Sequence, residues 1–190
     1  MTRRVLSMAV FAALATACTM MPHGSAPATA TPKPAVAPTA AAKPAGPAAP
    51  IDYTKIKPID LVNSTPKGKL HNPYKDTQAD IVAQGKQHFM AYGCSGCHGG
   101  GGGGGMCPPL INDVWVYGGD DDTLFRLVTL GSIGLQQHGY MRIGQENVVG
   151  PMPPFGGIIK NADDLWKIFA FLRSRYDGDP AYKFGGPPSE

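Results

Sequence analysis

Gly93-Cys94-Ser95-Gly96-Cys97-His98-Gly99 is the stretch on which the reading of this chain turns. A Cys-x-x-Cys-His run attaches c-type haem: the two thiols bond to its vinyl groups and the histidine binds iron. The spacing suits that chemistry because one tight turn sets both sulfurs along a single porphyrin edge and brings the imidazole beneath the metal. Two other readings compete. Half of a zinc site would need a second Cys/His pair at suitable spacing, and none is present. A redox-active disulfide of the thioredoxin type expects a βαβ setting, which is also missing. The residues therefore imply one haem c, held covalently by Cys94 and Cys97, with His98 as an axial ligand.

A second axial ligand has to come from downstream. Met152 lies in Gly150-Pro151-Met152-Pro153-Pro154-Phe155-Gly156, where the prolines limit the backbone freedom that would let a weakly bonded thioether wander. It is the first choice, and a thioether there would raise the reduction potential relative to bis-histidine ligation. Met141, Met106 and His138 are the alternatives, the last giving a bis-histidine site. A ligating histidine normally gives its other N–H to a carbonyl that fixes the ring, and Pro108 is placed to offer one. The seven glycines Gly99 to Gly105 have two readings: close passage of the backbone beside the haem edge, or simple slack. Trp115, Tyr117 and Arg142 carry N–H or O–H donors suited to the haem propionates.

Around these residues the pattern is helical. One helix is expected to start near Thr77, with Asp80 in the capping-box position. Its face is Ile81, Val82, Gly85, Phe89 and Tyr92, and it ends at Gly93. A second opens on Asp120, Asp121 and Asp122, which suit a helix N-terminus through the macrodipole; Leu124, Leu127 and Val128 form its stripe and Gly131 stops it. A third follows Asn161 as N-cap, buries Leu165, Trp166, Ile168, Phe169 and Leu172, carries Arg173 and Arg175 in its last turn, and ends at Gly178. No convincing strand pair appears, so the fold class is all-α.

The 190 residues divide unevenly. Arg3 and Arg4, the apolar run Val5 to Ala17, and the small residues Ala15-Thr16-Ala17 read as an export signal over residues 1–17. The run is shorter than the roughly 20 apolar residues a membrane span needs. The Arg pair is only faintly twin-arginine-like, and the general secretory route is expected because haem is attached after export. Residues 18–50 are dominated by Ala and Pro and read as a disordered linker. Leu14-Ala15-Thr16-Ala17-Cys18 resembles a bacterial lipobox, so Cys18 is either an acylated tether or an unmodified N-terminal cysteine. Residues 51–75 read as an extended arm, 76–178 as the haem domain and 179–190 as a tail. The formal charge of +3 is carried by the leader and linker: Arg3, Arg4, Lys33 and Lys43 precede residue 51, leaving 13 Lys and Arg against 14 Asp and Glu. A chain this balanced lacks the clustered basic face of a nucleic-acid binder.

Gly85-x-x-x-Phe89 before Cys-x-x-Cys-His, the Pro-x-Leu of Pro108 to Leu110, Met152-Pro153 and a closing aromatic helix together resemble a class I cytochrome c. The resemblance implies that the first and last helices cross at Gly85, against Trp166 or Phe169. Gly93 to Gly99, Trp115 to Asp122 and Asn147 to Gly156 are similar to the cytochromes that accept electrons from pyrroloquinoline-quinone methanol dehydrogenases, especially the lanthanide-dependent kind. It spans about residues 80 to 175 and implies a periplasmic electron carrier, not an enzyme, fed by such a quinoprotein alcohol or methanol dehydrogenase and drained by another cytochrome or a terminal oxidase. Two readings stand against it: a haem enzyme such as a peroxidase, with an open sixth position, and a haem subunit fixed in a membrane respiratory complex. Cys107 departs from the family, standing where glycine is usual and leaving a thiol with no obvious disulfide partner. The tether is equally unexpected for a freely diffusing carrier.

Overall fold

The helix Ala162–Ser174 is apolar almost all the way round: Leu165, Trp166, Ile168, Phe169, Ala170, Phe171 and Leu172 are all buried. A helix of that kind belongs at the centre of a fold rather than on its surface. In the computed structural model, which describes residues 51–146 and 148–185, the other elements pack around it. Numbered in chain order, the helices are α1 Pro58–Ser64, α2 Ala79–Ala91, α3 Cys94–His98, α4 Asp121–Gln137 and α5 Ala162–Ser174, followed by a 3-10 turn at Pro180–Tyr182. The described residues contain no strand. The export signal, the linker, Cys18, Asn147 and residues 186–190 lie outside the described residues.

α2 and α5 cross at Gly85. A Cβ built there would fall 2.0 Å from the Lys167 carbonyl oxygen and 2.9 Å from the Phe171 Cβ, so only a hydrogen lets the two backbones meet. The aromatic at this crossing is Phe171, whose ring lies 5.6 Å from that of Phe89. That corrects the expectation of Trp166 or Phe169, which instead face Phe125 at 4.3 and 6.5 Å. Phe171 stands two residues after Phe169 and five after Trp166, about 200° and 140° round the helix, so it faces the other way.

The start of α2 also differs from expectation. Its N-cap is Gln78, not Thr77, and no side chain caps it; the Gln78 Oε1 accepts from the Lys75 N–H instead. The arm over 51–75 is not simply extended. Its Pro58 opens α1, the first-turn position where a missing N–H costs nothing, and Leu61, Val62 and Leu70 are buried in the core. The carbonyls of Tyr53 and Ile56 accept from Asp163 and Ala162 N–H at 3.1 and 2.8 Å. With Asn161 Oδ1 accepting from Asp164 N–H, these bonds satisfy donors that the first turn of α5 would otherwise leave orphaned.

Asp122 joins the arm to α4. Its carboxylate accepts from the Arg126 guanidinium, the Tyr140 hydroxyl and the backbone N–H groups of Lys69 and Leu70, at 2.9 to 3.2 Å. Burial pushes this carboxyl up, but those donors outweigh it and hold it below the ordinary range. At its other end α5 stops at Ser174, before Gly178, and the tail folds back so that Tyr182 O accepts from the Trp115 indole.

Candidate haem site

α3 consists of the five residues Cys94–His98, entered through Gly93 at φ 79° and left through Gly99 at φ 73°. Between two left-handed residues the turn is short and closed, and it sets Cys94, Cys97 and His98 on the wall of one cavity of about 310 Å³. His98 Nδ1 lies 2.8 Å from the Pro108 carbonyl oxygen. An acceptor at that position requires the hydrogen on Nδ1, which leaves the Nε2 lone pair for a metal. Burial lowers the pKa of this imidazole more than the Pro108 bond raises it, so the neutral, ligating form is favoured.

The Met152 loop is built by a break in α4. Gly131 ends the first helical segment of α4 as expected: at φ 71° and ψ 169° its backbone is not helical, and a second segment resumes beyond it to Gln137. Beyond the kink, Ser132 N–H donates to Met152 O and Met152 N–H to the Ser132 hydroxyl, at 2.9 and 3.0 Å. The carbonyls of Val128 and Thr129 accept from Phe155 and Gly156 at 2.9 and 3.0 Å. The hydrogen bonds that the kinked turn does not make within itself are made to the Met152 loop. A Cβ at Gly131 would lie 2.7 Å from Met152 O.

The glycine run is folded, not slack. Gly104 N–H donates to His98 O at 2.9 Å, Cys107 N–H to Cys97 O at 3.0 Å and Leu110 N–H to Gly102 O at 2.7 Å. Cys107 returns to the cavity wall beside Cys97. Burial, and after it the neighbouring Cys97 thiol, push the Cys107 pKa up.

The structure sorts the other candidates. Trp115 and Tyr117 line the cavity, but the Trp115 N–H already donates to Tyr182 O at 3.0 Å. Tyr117 accepts from Gln136 at 2.8 Å and keeps its own O–H to give. Arg142 is exposed, donates to the Glu146 carbonyl and is not on the cavity wall. Met141 is 78 % exposed and off the wall, Met106 is 63 % exposed at its edge, and His138 bonds Gly134 O on the surface. Arg173 lies in the last turn of α5, as expected, and is buried between the Trp115 and Phe184 rings, donating to Gly119 O. Its spacing, four after Phe169 and seven after Trp166, already put it on the apolar face.

The donor set fits haem c: two thiols and a neutral imidazole on one short turn, a thioether from a separate loop, and walls of Pro109, Leu110, Val116, Leu124, Leu127 and Phe155. No group of three or more His, Cys, Asp and Glu among the described residues is arranged to hold a separate metal ion. No described helix is long and apolar enough to cross a membrane.

The cytochrome c family model matches residues 82–175. Among solved structures, the chain is similar to cytochrome cL from the marine methylotrophic bacterium Methylophaga aminisulfidivorans, at 24 % identity over 65 % of this chain and 70 % of that one, TM-score 0.45. It is also similar to cytochrome cL from Hyphomicrobium denitrificans, at 25 % identity over 53 % of this chain and 51 % of that one, TM-score 0.41. No curated protein matches the sequence. Through residues 82–175 this chain belongs to the cytochrome c family, as an all-α class I c-type cytochrome that carries one covalently bound haem c.

Proposed function

We propose that this cytochrome is an exported, mono-haem carrier of single electrons, loaded by a pyrroloquinoline-quinone methanol or alcohol dehydrogenase and discharged to another cytochrome or a terminal oxidase. Haem supplies the one-electron couple when bound. Cys94 and Cys97 would fasten it by thioethers and His98 and Met152 would ligate its iron, with the Pro108 carbonyl fixing the His98 ring. The apolar wall keeps water away and lowers the local dielectric, a standard lever on haem potential. The observation that carries the reading is the convergence of Cys94, Cys97, His98 and Met152 on one cavity.

The dehydrogenase as donor rests on the stretches Gly93 to Gly99, Trp115 to Asp122 and Asn147 to Gly156. It also suits the cavity mouth, where Met106, Val148 and Val149 are 63, 40 and 75 % exposed. An uncharged rim of that kind fits the small, short-lived interfaces of redox encounters. Mixing purified dehydrogenase, its alcohol and this cytochrome should reduce the haem within seconds. If the dehydrogenase reduces an artificial acceptor but not this haem, that donor is wrong.

A further inference from the structure

Two features of the sequence remain without a role in ligation or electron transfer: the thiol of Cys107 and the seven glycines before it. The structure joins them. Cys107 N–H donates to Cys97 O at 3.0 Å, which limits the two α-carbons to about 7 Å apart, the range in which a disulfide closes. Both residues line the same cavity, and their sulfurs are neighbours. The return is made by the glycine loop: a Cβ at Gly99 would lie 2.6 Å from Gly104 O, and one at Gly105 would lie 2.9 Å from Cys97 O. Larger residues at those two positions would hold Cys107 away from Cys97.

We propose that, before haem is attached, Cys107 pairs with Cys97 in a disulfide that protects Cys97 and must be reduced to make it available. The inference rests on the reading that Cys97 takes a haem vinyl group. The step is ordinary thiol–disulfide exchange. A disulfide-bearing oxidant, either a thiol oxidoreductase of the oxidising compartment or oxidised glutathione, accepts two electrons and two protons from the two thiols. It leaves as two thiols, and one S–S bond forms between Cys97 and Cys107. A dithiol reverses the exchange, breaking that bond and returning a proton to each sulfur. Cys94 is the competitor for Cys97. A bridge between those two would have to close within the single helical turn of α3, whereas the loop to Cys107 is already held by its own backbone bonds, Gly104 to His98 and Gly105 to Cys107 among them.

The test uses the full chain made without haem, carrying Cys18→Ser to remove the remote thiol. After equilibration with oxidised glutathione, acid quenching, alkylation and digestion, the dominant bridged peptide pair should join Cys97 to Cys107, with Cys94 alkylated. A dominant Cys94–Cys97 bridge, or alkylation of all three cysteines, would overturn the proposal. Gly99→Val with Gly105→Val should move the bridge from Cys97–Cys107 to Cys94–Cys97; an unmoved bridge removes the role given to the loop. In the haem-loaded chain Cys107 should alkylate, its partner having gone into a thioether. A haem peptide showing attachment through other cysteines would instead sink the attachment reading, whatever the bridge found in the haem-free chain.

Discussion

As the sixth ligand we propose, Met152 would have to deliver a neutral sulfur to a fixed point, and a methionine side chain alone, with three rotatable bonds, is poor at that. Its backbone is the part made rigid, by the paired bonds with Ser132 and by Pro151 and Pro153 on either side. Met152→Ala should therefore keep the covalent haem but lose the weak far-red sulfur-to-iron band of the ferric state. Cyanide should then bind readily and the reduction potential should fall; absorption spectra and a redox titration check all three. If the band persists in that variant, another residue holds the sixth position. His98 is different in kind, since its ring is oriented by the Pro108 carbonyl as well as by its own turn. The haem c was legible in the sequence, because the Cys-x-x-Cys-His spacing names its chemistry; flanking prolines are what single out Met152 as the proposed sixth ligand. The surroundings of Trp115 and Arg142 were not legible, because donor chemistry does not say where a side chain points. Trp115 is engaged by a tail that sequence reading left unplaced, and Arg142 faces solvent.

At the scale of elements, two glycines shape the site. Gly85→Ala sets a methyl group against the Lys167 carbonyl, a backbone atom that cannot swing aside. Overpacking of this kind costs about 3 kcal/mol, which should appear as a lower urea midpoint with an unchanged haem spectrum. Gly131→Ala combines a left-handed backbone with a clash on the Met152 loop and should cost about 2 kcal/mol or more. Here the loss should come with weakening of the sulfur-to-iron band, since the kink and the ligand loop share hydrogen bonds. Equal loss of stability without any spectral change would break the link between kink and ligand. The stop at Gly131 was legible in the sequence, but the short helical segment that resumes after it was not, because its broken hydrogen bonds are completed by another segment. The same limit made the segment around Pro58 look like a breaker: proline at a first helical turn and proline in a loop read alike until Leu61 and Val62 are seen buried.

The whole molecule is held together by charges placed where few charges sit. Asp122 and Arg126 are 3 and 6 % exposed, and the carboxylate gathers the arm, α4 and Tyr140 around itself. Removing one partner of such a pair strands the other, so Asp122→Asn should destabilise by about 3–5 kcal/mol. The sign of the pH dependence follows from the same geometry. A carboxyl held below its ordinary range in the folded state stabilises above that range, and the contribution is lost as pH falls through the folded value. Acid unfolding should therefore set in below about pH 4. Asp122→Asn should flatten the slope of stability against pH in that window, and an unchanged slope would assign acid sensitivity elsewhere.

All of this assumes that two cysteines of one short turn carry an iron porphyrin by covalent bonds. Denaturing mass spectrometry of the purified chain, followed by peptide mapping, measures that without reference to partner or potential. The account predicts a polypeptide heavier by one haem, with the added mass surviving acid and organic solvent and confined to the peptide that spans Cys94 to His98. A chain at bare polypeptide mass, or haem that washes off in acid, would contradict it.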